Sequence, residues 1–223
     1  MAETSLPPLR ATWLEWLDRG GDAVVIAPPL GAVAPTRLVV GVHGAGDRPD
    51  WSCGGWRLAS QVSVFVACPQ GTRTSATTFA WSSSGALEAG VLRAIELARA
   101  RFGKYIDESS FVYAGFSQGA TLAEPLLRKR AARFPIAVLA EGGYRTAGSR
   151  AFAAAYRAGG GQRVVLVCGT AGCFRSAAGS KKVLEGAGLE VLVVGDPKAG
   201  HNLNQEMQRA LQAAWPQIVA PLR

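Results

Sequence analysis

The sequence lacks several features that define other classes of protein. No apolar run approaches the ~20 residues that a helix needs to cross a bilayer. The first residues, MAETSLPPLR, show no basic segment followed by an apolar one, so they predict no signal peptide. A chain from which such a signal had been removed would look the same. Only 18% of the residues are charged and 48% are hydrophobic, which excludes a disordered chain. We expect a single domain over residues 1–223, in which 1–35 form an N-terminal extension and the first strands.

Residues that bind metal ions are also scarce. The chain has two histidines and four cysteines, with no CxxC pair, so we expect no metal site and no cofactor. Cys168 and Cys173 are five positions apart in the segment CGTAGC, where they could close a small disulfide loop. The alternative is free thiols, with Cys168 buried at the end of a strand. A disulfide would favour an extracytoplasmic location, which nothing else in the sequence determines.

The formal net charge of +8 is not concentrated in a binding patch. The densest basic run, Arg128, Lys129 and Arg130 near Arg133, lies on a predicted helix, where a solvated face is the expected role. No nucleic-acid-binding motif is present. We therefore expect no nucleic-acid partner.

Apolar segments of strand length alternate with helical segments along the chain. In 85–103, apolar residues recur every three or four positions up to Gly103. A second helix is predicted over 119–134, where Pro125 is tolerated early or kinks the helix. Apolar strands separated by helices predict an α/β protein, a mostly parallel sheet covered by helices on both faces. The predicted strands are 23–28, 37–44, 62–69, 111–116, 136–143, 163–169 and 189–195, and the other predicted helices are about 149–158, 175–186 and 203–214.

The segment VYAGFSQGATL (112–122) places Ser117 between Gly115 and Gly119, where a predicted strand meets a predicted helix. G-x-S-x-G in this context is typical of a nucleophile elbow, a tight turn that lifts a reactive hydroxyl above the sheet. The alternative is a glycine-rich turn that binds a phosphate or nothing. We predict that Ser117 is a nucleophile.

A serine nucleophile needs a base, and His43 and His201 are the two histidines. His201 follows the last predicted strand, in the order nucleophile then histidine that this architecture requires, so we predict that His201 is the base. The alternative is a surface histidine. His43 ends an apolar strand in HGAGD, and we expect it to orient a loop. In that loop the N–H of Ala45, together with that of Gln118, would form an oxyanion hole.

The segments HGAGD, WSSS, IDESSFVYAGFSQGA and GH, in this order, resemble the α/β-hydrolase fold. More narrowly, they resemble the small serine esterases of the carboxylesterase, phospholipase and acyl-protein thioesterase group, with their dienelactone-hydrolase-like relatives. The resemblance covers about residues 36–215, and we see no spare segment for a cap domain. It implies, by position, nucleophile Ser117, base His201, oxyanion donors Ala45 and Gln118, an acyl pocket lined by Trp81, and Asp107 as a structural residue before the nucleophile strand.

The acid of the triad is where the sequence departs from this pattern. Such esterases usually carry an aspartate in the loop after strand 163–168. Here that loop reads GTAGCFRSAAGS and contains no carboxylate, and Gly172 occupies the expected position.

Two carboxylates, Glu141 and Asp196, follow predicted strands at their carboxyl ends, where sites of parallel sheets form. We predict Glu141 as the acid, because its strand is expected to lie between the nucleophile strand and the usual acid strand. Asp196, five positions before His201, and a serine–histidine dyad remain alternatives. Glu141 would otherwise be a surface carboxylate paired with Arg145.

Together these residues predict a serine esterase that cleaves short-acyl or exposed esters, small or polymeric, through an acyl-enzyme. Trp51 and Trp56 could frame the pocket beside Trp81, or belong to the core or rim. Thioester, polyester or feruloyl hydrolysis on the same residues is an alternative. A non-catalytic ligand-binding protein on a hydrolase scaffold is another, because the usual acid position is vacant. The oligomeric state is undetermined.

Overall fold

Eight strands form one mixed sheet, in a computed structural model that describes residues 5–18 and 22–222. The strands of the chain are β1 Glu15–Leu17, β2 Val24–Ala27, β3 Thr36–Val42, β4 Phe65–Pro69, β5 Thr72–Arg73, β6 Phe79–Ala80, β7 Ile106–Phe116, β8 Ile136–Ala140, β9 Arg163–Cys168 and β10 Glu190–Gly195. The large sheet has the order β1-β2-β4-β3-β7-β8-β9-β10, and β5 pairs with β6 in a separate hairpin. From β4 to β10 all neighbours are parallel, whereas β2 is antiparallel to both β1 and β4.

Helices cover both faces of this sheet. Neighbouring strand residues pack into different apolar clusters, as Val25 and Ile26 do, because successive side chains of a strand point to opposite faces. One cluster contains residues of α2, α4, α6 and α7, and the other contains residues of α1 and α8. The helices are α1 Pro49–Ala59, α2 Ser84–Phe102, α3 Gln118–Thr121, α4 Glu124–Lys129, α5 Tyr144–Ala147, α6 Arg150–Ala158, α7 Ala171–Gly186 and α8 Gln205–Ile218, with a 3₁₀ turn at Gly103–Tyr105.

The predicted α/β class is confirmed, but the single helix predicted over 119–134 is wrong. Two short helices, α3 and α4, take its place. Pro125 is in the first turn of α4. Its ring has no N–H to donate and would collide with the carbonyl four residues earlier, which disfavours an unbroken helix running on from Thr121.

Other boundaries differ from the expectation as well. Strand β7 begins at Ile106 rather than at 111, so Asp107 lies inside the strand, where its carboxylate accepts the N–H of Ser109 at 2.9 Å. The sequence pattern did not predict α1, which contains two glycines, Gly54 and Gly55, that disfavour a helix. Its proline and aspartate in the first turn are the start signals that were available.

No helix within the described residues is long and apolar enough to cross a membrane. The prediction of a single domain over 1–223 stays a prediction, and residues 1–4, 19–21 and 223 of that range lie outside the described part of the chain.

Candidate active site

Ser117 lies in a tight turn between β7 and α3. Its backbone has φ +51° and ψ −110°, a conformation that non-glycine residues rarely adopt and that functional sites often hold. A Cβ on Gly119 would come to 2.6 Å from the carbonyl oxygen of Val42, so this close approach requires glycine. The buried hydroxyl of Tyr113 donates to the carbonyl of Gly119 at 2.5 Å, and burial raises its pKa well above the usual value, which keeps it a donor. Both contacts hold the turn at Gly119.

His201 lies against this serine. Its Nε2 is 2.9 Å from Ser117 Oγ, and its ring centroid is 5.2 Å from that of Phe116. The histidine is in the loop between β10 and α8, where Asn204 caps α8 and also donates from its side chain to the carbonyl of Ala199 at 3.1 Å. His201 is about half open to solvent, with 55% of its side chain exposed.

Glu141 contacts the other nitrogen of the same ring. Its Oε2 is 3.1 Å from His201 Nδ1, and its Oε1 accepts the backbone N–H of Gly169. The carboxylate is buried, with only 3% of the side chain exposed, so these polar partners offset much of the cost of burying it. Like Ser117, Glu141 has a positive φ, +50°. Strand β8 lies between β7 and β9, which brings Glu141 to the edge of the sheet where Ser117 lies.

The other candidate carboxylate, Asp196, accepts hydrogen bonds within its own turn. It accepts the N–H of Lys198 at 2.8 Å and the N–H of Ala199 on its backbone carbonyl at 3.0 Å. In the described parts of the chain, Glu141 is the carboxylate paired with His201, and it makes no ion pair with the exposed Arg145.

The loop after β3 packs directly on Ser117. A Cβ on Gly44 would lie 3.1 Å from Ser117 Cβ, so Gly44 allows the backbone to approach the serine. Within the described residues, 5–18 and 22–222, no acceptor contacts the N–H of Ala45. Gln118 is the first residue of α3, where N–H groups have no hydrogen-bond partner within the helix. Both N–H groups are available for a ligand.

The Gln118 side chain forms a pair of hydrogen bonds that sequence reasoning missed. Its Oε1 accepts the backbone N–H of Trp81 at 2.9 Å, and its Nε2 donates to the Trp81 carbonyl at 3.0 Å. The Trp81 indole N–H donates to the carbonyl of His43 at 3.1 Å. These bonds connect Gln118, the residue after Ser117, with the loop that carries Ala45.

His43 is buried and ties the same loop to the end of β4. Its Nδ1 is 2.7 Å from the carbonyl oxygen of Gly44, and its Nε2 is 2.7 Å from that of Gln70. Among the described residues, the His43 ring forms no hydrogen bond with Ser117, whereas His201 does.

The tryptophans have three different environments. Trp56 is fully buried in the core on the α1 and α8 face and does not frame a pocket, whereas Trp51 is exposed. Trp81 is 3% exposed and lines a cavity of about 720 Å³ with Pro69, Gly90 and other residues. That lining does not include Ser117 or His201, so a role of Trp81 in binding the acyl group stays a prediction.

Cys168 and Cys173 form a disulfide, while Cys53 and Cys68 are buried free thiols. Burial raises the pKa of the Cys68 thiol well above its usual value, which makes it a poor nucleophile. The disulfide sulfurs and the Glu141 carboxylate lie within 4.8 Å of one another, but sulfurs bonded to each other are not thiolate ligands, so we assign no metal to this group.

Gly169 is a second site residue that sequence reasoning missed. Its N–H contacts Glu141, and its carbonyl accepts the N–H of Gly200, next to His201, at 2.8 Å. The available signal was a glycine at the carboxyl end of a buried strand.

Comparisons with known proteins agree on the fold. No family model matches the chain, and no curated protein matches its sequence. Among solved structures, the chain is similar to FphF, a fluorophosphonate-binding serine hydrolase of Staphylococcus aureus, with 11% identity over 96% of this chain and 100% of that one and a TM-score of 0.68. It is also similar to poly(aspartic acid) hydrolase-1 of Sphingomonas sp. KT-1, with 16% identity, coverage of 94% and 100%, and a TM-score of 0.61. A phospholipase/carboxylesterase of Dyadobacter fermentans DSM 18053 matches with 18% identity, coverage of 91% and 99%, and a TM-score of 0.55.

These similarities show that the chain has the α/β-hydrolase fold. At the carboxyl edge of its sheet, the hydroxyl of Ser117, the imidazole of His201 and the carboxylate of Glu141 are hydrogen-bonded in that order. The backbone N–H groups of Ala45 and Gln118 lie beside them. Chemically, such an arrangement can remove a proton from the hydroxyl and stabilise negative charge on a carbonyl oxygen.

Proposed function

We propose that this protein is a serine hydrolase of carboxylic esters, in which Ser117, His201 and Glu141 form the catalytic triad. One observation carries the proposal: the hydrogen-bonded chain from Ser117 Oγ through His201 to a buried carboxylate, with distances of 2.9 and 3.1 Å. We further propose that residues 1–223 form one domain, because eight of the ten described strands make one continuous sheet.

The mechanism follows from the placement of these groups. His201 Nε2 takes the proton of Ser117 as the hydroxyl oxygen attacks the ester carbonyl. The N–H groups of Ala45 and Gln118 stabilise the oxyanion, and Glu141 orients the imidazole and stabilises its protonated form. His201 then gives the proton to the departing alcohol. Water, activated by His201 in the same way, releases the acyl group from Ser117.

The names of the structural neighbours support hydrolysis as the type of reaction but do not agree on one substrate. They describe a fluorophosphonate-binding serine hydrolase, a poly(aspartic acid) hydrolase and a phospholipase/carboxylesterase. Attack of a serine on a carbonyl would suit each of these, so the fold leaves the acyl group and the leaving group open. The half-exposed His201 favours esters that are short or that project from a larger molecule.

The ligand-binding alternative depended on a histidine without an acid partner. Glu141 stands within hydrogen-bond distance of His201 Nδ1, and this contact favours turnover over binding alone. Thioesters and polyesters remain substrates to be compared with simple esters.

The test is hydrolysis of p-nitrophenyl esters of two to eight acyl carbons by the wild-type protein and by Ser117→Ala. We expect turnover that disappears in Ser117→Ala and persists in Ser109→Ala, an exposed serine on strand β7, which precedes Ser117. Turnover that persists in Ser117→Ala, or no turnover by the wild type at any chain length, would overturn the proposal.

A further inference from the structure

The backbone of Gly169 joins the two loops that carry Glu141 and His201. Its N–H donates to Glu141 Oε1, and its carbonyl accepts the N–H of Gly200, the residue before His201. A Cβ on Gly169 would overlap the carbonyl oxygen of Gly200, so the two loops pack backbone against backbone. A shift of this one residue would move the hydrogen-bond partner of Glu141 and that of Gly200, the residue before His201.

A disulfide closes the loop in which Gly169 lies. Cys168 ends β9 immediately before Gly169, and Cys173 is in the first turn of α7. The side chain of Thr170 accepts the N–H of Cys173 at 3.2 Å and caps the same helix. The loop has four residues between the two cysteines, and both cysteines are buried. Their sulfurs are within 4.8 Å of the Glu141 carboxylate.

The loop also occupies the place where the acid was expected from the sequence. It supplies no carboxylate of its own, but it supplies the backbone N–H that holds the carboxylate of the neighbouring strand. A buried carboxylate with one hydrogen-bond partner removed either leaves its position or takes up a proton, because an unpaired buried charge is costly. The position of this N–H therefore decides whether Glu141 stays against His201.

We propose that the Cys168–Cys173 disulfide is a positioning element for the catalytic acid: it holds the Gly169 N–H on Glu141 and thereby keeps Glu141 against His201. The inference rests on the proposed function, since it assigns the disulfide a role in that reaction. It separates the four cysteines into a pair that serves the site and a pair, Cys53 and Cys68, that fills the core.

The experiment compares two double variants, Cys168→Ala/Cys173→Ala and Cys53→Ala/Cys68→Ala. Both remove two buried sulfurs, but only the first opens the loop at Gly169. We expect the first to lower kcat on a p-nitrophenyl ester about 10- to 100-fold, since misplacing a catalytic group by about 1 Å costs this much. Its KM should change less than about threefold, because the acid does not bind the ester itself. The second variant should keep its kcat within about threefold of the wild type.

A second measurement separates positioning from general damage. In a Glu141→Ala background no carboxylate remains to be positioned, so opening the disulfide should lower kcat there by less than about threefold. Circular dichroism checks that each variant is folded, and if the double variant is not, Cys173→Ala alone opens the same loop. An equal fall of kcat with and without Glu141 would overturn the proposal, as would a fall shared by both cysteine pairs. Loss of the proposed function would appear separately, as wild-type turnover that does not depend on Ser117.

Discussion

Replacement of Glu141 by glutamine tests the acid of the proposed triad with almost no change of shape. The Gly169 N–H needs an acceptor, so the amide oxygen of the new side chain should face it and the NH₂ group should face His201. Nδ1 must then be unprotonated to accept from that NH₂ group. The remaining proton of the neutral ring would sit on Nε2 and point at Ser117 Oγ, where it blocks acceptance of the serine proton.

The size of the effect follows from the geometry. For unit charges 3.1 Å apart at an effective dielectric constant of about 20, the attraction is about 5 kcal/mol. Because 55% of the His201 side chain is exposed to solvent, we take roughly half of this value, about 3 kcal/mol, or about 10²-fold in rate. The wrong tautomer adds to this loss, since the corresponding replacement of the acid by its amide in the serine protease triad, aspartate by asparagine, lowers kcat about 10⁴-fold. We therefore expect kcat to fall between about 10²- and 10⁴-fold.

The assay is steady-state hydrolysis of a p-nitrophenyl ester by the wild type, Glu141→Gln and Asp196→Asn. The last variant is the matched control, because an asparagine oxygen can still accept the Lys198 N–H in the loop before His201. We expect Asp196→Asn to stay within about threefold of the wild type. Glu141→Gln retaining more than a tenth of wild-type kcat would refute the reasoning, and a large loss in Asp196→Asn would move the acid to that residue.

Three further predictions concern two contacts near the site and one ion pair elsewhere on the fold. Gln118→Ala removes both hydrogen bonds to the Trp81 backbone, so kcat on the same ester should fall about tenfold with little change in KM. An unchanged kcat would show that these two hydrogen bonds do not position the site. Trp81→Phe leaves the buried carbonyl of His43 without its donor and should lower the free energy of unfolding by about 2 kcal/mol in a urea titration. Arg130 holds the pKa of Glu88 below its usual range, so Glu88→Gln should cost about 1 kcal/mol of stability near pH 7. A lowered folded-state pKa stabilises the protein above the unfolded value, so this cost should disappear as the pH falls through the folded pKa, and a cost that persists in acid would contradict the ion-pair origin.

Local signals in the sequence were sufficient for much of the site. Ser117 is recognisable because the glycines around it and the change from strand to helix all lie within a few positions. The chain order then selects His201 from two histidines. The break between α3 and α4 shows the limit of such signals, since Pro125 is visible in the sequence but the end of a helix depends on which backbone groups find other partners.

The acid illustrates what required the tertiary structure. The sequence by itself left two carboxylates at strand ends, or a serine–histidine dyad, as candidates for the acid position. It also determined the α/β class through the alternation of apolar strands and helices, and the chain order of the proposed reactive residues. Which carboxylate reaches His201 depends on the order of the strands and on how the loops at their ends pack. Glu141 and His201 are 60 positions apart, and a single residue, Gly169, connects their loops through its backbone N–H and carbonyl. Contacts of this kind arise only when the sheet assembles, because no periodicity within one segment encodes its neighbour in space.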